Sequence, residues 1–299
     1  MIVFENPKAL LGHLAMLTFS LLVSVSFTLG SIVANDIDPL VITSVRFVIA
    51  AMFILVIFVV SRNTSLSDLK NPQRFLILGG MISIYFVTMF EGLKTAEPIS
   101  MSVVFTFTPL MAGVFDFLIS KRRLSVWAWL SVILGGLGAL YIIFDGNLNR
   151  FLRLQIGYGE GLFFIGCACH ALYAASIPKL NRGEAPLSQT FGTLVGATLI
   201  LNVIGFNRMV ATDWYSLNSI VFLTFLYLAI FATSATFFLI QFAAIRLSSL
   251  KVMAYTYAVP FWVTLLQAIL EKAAITMDLL VGGTAIFLSL SLLLVNKEF

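Results

Sequence analysis

The chain has 299 residues, 60% of them hydrophobic and 11% charged, with a mean hydropathy of +1.02. A water-soluble domain carries roughly 25% charged residues, so this composition excludes a water-facing surface over most of the chain and makes a lipid bilayer its natural solvent. The net charge of +4 is small and points to no nucleic-acid partner, and the two cysteines, Cys167 and Cys169, imply no disulfide framework.

A membrane-spanning helix needs about 20 mostly apolar residues. Ten such runs follow one another, near 9–34, 39–61, 73–95, 98–120, 124–144, 157–180, 187–209, 217–245, 249–270 and 275–295. The first is longer than the 7–15-residue core typical of a signal peptide. It leads directly into a second apolar run, so an uncleaved helix is expected. The longest polar breaks, 61–74 and 145–157, are too short for a soluble domain. The expected fold is an all-α polytopic membrane protein of ten transmembrane helices.

Lys and Arg favour the cytoplasmic side of a membrane. With the N-terminus in the cytoplasm, that side holds Lys8, then Arg62, Lys70 and Arg74, then Lys121, Arg122 and Arg123. It also holds Lys179 and Arg182, then Arg246 and Lys251, and finally Lys297. The other side holds fewer: Lys94, Arg150, Arg153, Arg208 and Lys272. Both termini are therefore expected in the cytoplasm.

The prolines reveal an internal repeat. Pro39 opens the second run and Pro186 the seventh, while Pro109 lies inside the fourth and Pro260 inside the ninth. The two offsets nearly agree, and a short insertion in one polar loop reconciles them. With five spans in each half, the second half crosses the membrane upside down, as the charge pattern also requires. The expectation is a 5+5 inverted repeat, an arrangement found in many secondary transporters. Residues 9–144 and 157–295 form its two halves within one integrated transmembrane unit.

Two stretches carry a family resemblance. "GLKTAEPISMSVVFTFTPLMAGVFDFLISKRRLSVWAWLSVILGGLGALYIIF" (92–144) resembles the third-to-fifth-helix block of the EamA-type domain, in the drug/metabolite transporter superfamily. "FAAIRLSSLKVMAYTYAVPFWVTLLQAILEKAAITMDLLVGGTAIFLSLSLLL" (242–294) resembles the same block again. The break "SKRRLS" departs from the Gly-Glu often found there, whereas "LEKAAIT" keeps Glu271, which is not expected to touch substrate. The resemblance implies ten helices, a central cavity between the halves, and transport of small metabolites, often as export. The expected home is a bacterial inner membrane.

Pro109 and Pro260 would free the carbonyls of Phe105 and Thr256, which Thr106, Thr108 and Thr256 are placed to satisfy. Each proline is either a hinge for alternating access or a static kink that shapes the cavity.

Ionisable residues inside a span cost roughly 2.5–3.5 kcal/mol on insertion scales and usually face the protein interior or water. Arg46 lies seven residues past Pro39, about 10 Å in at ~1.5 Å per residue. It either faces a cavity, ready for a carboxylate or phosphate, or makes a structural ion pair with a residue such as Glu91. Glu91 pairs with Arg46, binds a substrate amine, carries a coupling proton, or is a wetted boundary residue. Asp116 reads as an interfacial ion pair with Lys121 and Arg122, and Glu160 as an acid suited to a helix N-terminus.

His170 bonds either a substrate or another helix, with Tyr173 three residues on along the same face. The "CACH" string lacks haem-attachment spacing, and the chain has only two histidines, so no metal or cofactor is expected. Gln241, Tyr257 and Trp262 complete the candidate substrate-binding set. The 28 phenylalanines read as lipid-facing or packing material.

No H-E-x-x-H, G-x-S-x-G or Walker A sequence occurs, which disfavours a metalloprotease and an ATP-driven pump. The expected partners are a small-molecule metabolite, the lipid bilayer and, for a coupled carrier, protons. An intramembrane enzyme and a channel remain as rivals, and the paired prolines favour a carrier over both.

Overall fold

The computed structural model describes residues 7–33, 36–62, 64–96, 98–121, 125–153, 156–270, 274 and 276–295. Arg122, Arg123, Glu271, Lys272 and Lys297, named above, lie outside the described residues. Every regular element among the described residues is helical: α1 Pro7–Val33, α2 Pro39–Val60, α3 Gln73–Gly92, α4 Pro98–Phe105, α5 Thr108–Ser120, α6 Val126–Ile143 and α7 Leu148–Leu152. There follow α8 Tyr158–Leu180, α9 Pro186–Ala211, α10 Ser219–Ala229, α11 Thr236–Ala244, α12 Ser249–Ala254, α13 Ala258–Leu270 and α14 Met277–Val295. A helix satisfies its own backbone polar groups, which hydrocarbon cannot do.

Among the described residues, nine helical stretches are long and apolar enough to cross a membrane. They cover every expected span except 249–270. That segment is helical but divided, with a 3₁₀ turn at Tyr255–Tyr257 between α12 and α13. The fourth expected span is likewise divided into α4 and α5. The eighth carries a π-helical stretch, Ile230–Ala235, between α10 and α11. The short α7 and a 3₁₀ turn at Leu66–Leu69 occupy the two polar breaks.

Local chemistry sets the helix starts. Pro39 fits a first turn because its missing N–H would be unbonded there anyway. Asp38 caps the same helix, its Oδ1 accepting from Leu40 N at 2.8 Å, and its Oδ2 accepts from Arg208 Nη1 at 2.8 Å. Ser125, Asn218 and Ser248 cap α6, α10 and α12.

The interruptions near the prolines differ from expectation in one detail. The Thr106 hydroxyl donates to the Val103 carbonyl at 2.6 Å, and the Thr256 hydroxyl to Met253 at 2.8 Å. They bond one turn back along the helix and not to the carbonyls of Phe105 and Thr256 themselves. A hydroxyl and its i−3 carbonyl meet without any change of backbone.

Small residues let the helices cross closely. A Cβ on Gly196 would collide with the Phe75 carbonyl, and one on Gly79 with the Gly196–Ala197 backbone, so α3 and α9 touch main chain to main chain. Gly138 of α6 and Gly282 of α14 meet in the same way. Hydroxyls bridge other crossings: Ser44 Oγ donates to Leu201 O at 3.3 Å, and Ser289 Oγ to Ser131 O at 2.5 Å.

The packing partners recur along the chain. The first span packs on the eighth and the sixth on the third (α1 on α11, α8 on α3). The first packs on the ninth and the sixth on the fourth (α1 on α13, α8 on α5). The second packs on the eighth and the seventh on the third (α2 on α10, α9 on α3). The second also meets the seventh, and the fifth the tenth.

Candidate functional site

Where α1, α3, α4, α8 and the π-helical end of α10–α11 converge, they enclose a cavity of about 30 Å³. It has room for one or two water molecules, so the centre is nearly closed in this conformation. Its wall is rich in rings: Phe19, Tyr85, Phe86, Phe105, His170, Tyr173 and Phe237. Tyr85 and His170 stack with centroids 4.3 Å apart. Aliphatic side chains and the hydroxyls of Ser26 and Thr236 complete it.

Two of the sequence-predicted residues, His170 and Tyr173, line this wall. They face it together because they sit three residues apart on α8. Gln241 stands behind them, its Nε2 donating to the Tyr173 hydroxyl at 3.0 Å and to Thr193 Oγ1 at 3.3 Å. Two buried polar atoms here have no protein partner, His170 Nδ1 and Gln241 Oε1. A buried polar atom without a partner is costly unless something else supplies the bond.

Arg46 lies immediately behind the wall, with 1% of its surface exposed. Its Nε donates to Thr233 Oγ1 at 2.8 Å and its Nη2 to the Ala232 carbonyl at 3.1 Å. Its guanidinium carbon lies 4.1 Å from the centroid of the Phe86 ring. Both partners belong to the π-helical stretch Ile230–Ala235, and such stretches often occur at functional sites.

The suggested Arg46–Glu91 pair does not form. Glu91 instead bonds Lys94 at 3.0 Å near the exposed end of α3, because Arg46 has turned into the protein towards Thr233. Tyr257 is buried against Gly135 and Gly136 of α6, and Trp262 donates to Ser20 Oγ at 3.0 Å. Both lie outside the cavity wall. Pro109 and Pro260 sit just past the interruptions of the fourth and ninth spans.

Asp116 is more enclosed than its place near a helix end suggests. It is 2% exposed, and its Oδ2 accepts from the Ser249 backbone N–H at 3.2 Å. It faces α12 across the helix crossing and not open water. Glu160 is also buried, accepting from Ser100 Oγ at 2.5 Å and from Gly157 N at 2.9 Å. The second contact closes the first turn of α8, as an acid there should.

Sequence reasoning missed Phe19, Tyr85, Phe86, Phe105 and Phe237 as wall residues. In so phenylalanine-rich a chain, composition does not separate a cavity ring from a lipid-facing one. It also passed over "ATSAT" (232–236), whose small and hydroxyl-bearing residues mark the partner of Arg46. A larger crevice of about 290 Å³ lies between α6 and α7, lined by residues such as Leu137, Tyr141, Phe144 and Phe151. It contains none of the predicted site residues. No cluster of three or more His, Cys, Asp or Glu able to hold a metal occurs among the described residues.

Comparisons with known proteins agree with this architecture. The profile of the EamA-like transporter family matches residues 10–144 and 157–295 in tandem. The uncharacterized transporter YyaM of Bacillus subtilis (strain 168) is 26% identical over 198 residues, 64% of each chain. An uncharacterized transporter of Methanothermobacter thermautotrophicus is 22% identical over 164 residues, 49% of this chain and 47% of its own. The matches thus span less than two thirds of either relative's length. A solved crystal structure superimposes with a TM-score of 0.74 at 18% identity, covering 96% of this chain and 97% of that one, so the two share a fold.

Proposed function

The chain belongs to the EamA-like transporter family, and on that premise we propose that it is a secondary transporter that exports a small metabolite by alternating access. It is an integral membrane protein, and the family points to transport of a small molecule, not to catalysis. The remaining features are our reading. The ten expected spans form a 5+5 inverted repeat, the segment 249–270 crosses as the ninth, and both termini face the cytoplasm of the inner membrane.

The observation that carries this reading is the recurrence of packing partners five spans apart. The contacts of the first span with the eighth and ninth, and of the second with the eighth, have counterparts with the halves exchanged. Two equivalent bodies packed in this way can rock about a shared site, which is how inverted-repeat carriers alternate. The nearly closed cavity between them fits an occluded intermediate. In this reading His170 and Tyr173 meet the substrate, Gln241 orients Tyr173, and Arg46 sets the local charge. Glu91 acts at the entrance, and Tyr257, in the 3₁₀ turn, and Trp262, on α13, belong to the moving ninth span. Glu91 is also the acid to which this reading gives a coupling proton.

The test is exchange in proteoliposomes loaded with a mixed metabolite panel and read by mass spectrometry, against protein-free vesicles. Saturable exchange of a subset of compounds, faster under an imposed proton gradient, is the expected result. Non-saturating flux without exchange would indicate a channel, and chemical conversion without any gradient an enzyme. A rate indifferent to the gradient removes the proton coupling and leaves the carrier.

A further inference from the structure

The charge of Arg46 is held entirely by uncharged groups: the Thr233 hydroxyl, the Ala232 carbonyl and the face of Phe86. None of the ion pairs among the described residues includes it. A buried charge without a counter-charge is costly, and neutral dipoles recover only part of the lost hydration. A ring face adds a modest share. This is an unusual state for an arginine inside a bilayer, where such residues normally pair or mark a substrate path.

The position of the charge gives it a use. Ala232 and Phe86 are Arg46's partners on one side and cavity wall on the other. The guanidinium is therefore one side chain away from the void. Among the described residues no acidic side chain lines the cavity, whose wall is ring faces, aliphatic groups and a few neutral polar atoms. Phe86 is thus a ring that separates Arg46 from the cavity.

We propose that the substrate is a small organic anion, a carboxylate carried on an apolar or planar body, whose acid group replaces the Phe86 face on Arg46. This rests on the carrier reading for the role of the cavity and narrows its substrate class. The body of the ligand lies between the rings of Tyr85, Phe105 and Phe237. Cations are rejected because the uncompensated positive charge acts through a medium with little water to screen it. Phe86 is the cover that holds the guanidinium while the site is empty.

The test uses the purified whole chain in detergent and two matched probe pairs, 3-phenylpropionate with its primary amide and hexanoate with its primary amide. Ligand binding to the folded state raises Tm by mass action. The acids are expected to raise Tm at concentrations at least tenfold below the amides. Arg46→Gln removes that difference, Arg46→Lys retains it, and Phe86→Ala shifts the acid response to lower concentration. Equal responses to acid and amide, no response to either acid, or an acid preference that survives in Arg46→Gln overturns the proposal. Should Arg46→Gln not fold, the wild-type acid-to-amide ratio and the direction of the Phe86→Ala shift decide it. The two readings fail separately. Exchange in vesicles without acid preference leaves a carrier of another substrate class, and acid preference without exchange leaves an anion site without transport.

Discussion

The Asp116 carboxylate on α5 accepts a hydrogen bond from the Ser249 backbone N–H at the start of α12, at 3.2 Å. This bond ties the end of the fourth expected span to the beginning of the ninth, and both residues are almost fully buried. On the carrier reading, we assign that junction to the closure of one end of the central cavity. Asp116→Ala leaves a buried N–H without its acceptor, a loss of about 1–3 kcal/mol. We expect a lower Tm and a faster leak of preloaded metabolite from vesicles, with Asp116→Asn intermediate. An unchanged leak and an unchanged Tm in the alanine variant remove Asp116 from the closure.

The α3–α9 crossing tests the packing. A Cβ on Gly79 would lie 2.7 Å from the Gly196 carbonyl carbon, and backbone cannot swing aside as a side chain can. Gly79→Ala and Gly196→Ala therefore force two helices apart. Overpacking of this kind costs about 1–3 kcal/mol, occasionally more. Gly161→Ala is the control, since a Cβ there meets nothing within 4 Å. Size-exclusion profiles of the three variants in mild detergent check the prediction. It fails if Gly79→Ala and Gly196→Ala are as monodisperse as Gly161→Ala.

Much of this architecture was legible from the sequence because bilayer physics is strict. Apolar runs of span length, Pro39 and Pro186 at helix starts, and Pro109 and Pro260 inside runs located the helices and their two divided members. Arg46 announced itself because a charge so far inside a span needs a reason. Its partner did not, since Thr233 and Ala232 lie nearly two hundred residues away and nothing in the sequence pairs "ATSAT" with Arg46. The burial of Asp116 was hidden for a related reason, since it comes from α12, more than a hundred residues later. Phe86 was hidden by abundance, as one phenylalanine among many.

Within the wall, Tyr173 and Gln241 form a testable pair. Gln241 Nε2 donates to the Tyr173 hydroxyl and to Thr193, while Gln241 Oε1 has no protein partner. Tyr173→Phe removes one acceptor from a side chain that cannot reach water, at a cost of about 1–3 kcal/mol. Gln241→Leu removes the unsatisfied amide as well, so the double variant should be less damaged than the sum of the two singles. A double-mutant cycle of unfolding free energies shows this as a coupling of 0.5 kcal/mol or more, in the range roughly expected for residues in contact. Strict additivity would mean that the two side chains act independently.

The paired prolines decide between hinge and static kink. Pro109 is the second residue of α5, after the break at Thr106–Phe107, and Pro260 is the third of α13, after the 3₁₀ turn at Tyr255–Tyr257. Proline is tolerated at such starts because its missing N–H would find no partner there. Restoring that N–H by Pro109→Ala or Pro260→Ala allows the α-helix to continue through the turn. Stability should therefore change little, falling by under about 1 kcal/mol as the unfolded chain gains freedom. If the turns are hinges, exchange slows at least tenfold in each variant and further in the double, with Tm held. If exchange and Tm both match wild type, the prolines only shape the helices and the bending lies elsewhere. A fall in Tm that parallels the loss of exchange would indicate a packing role. Initial exchange rates with protein insertion matched between preparations, measured beside Tm for all four proteins, separate these outcomes.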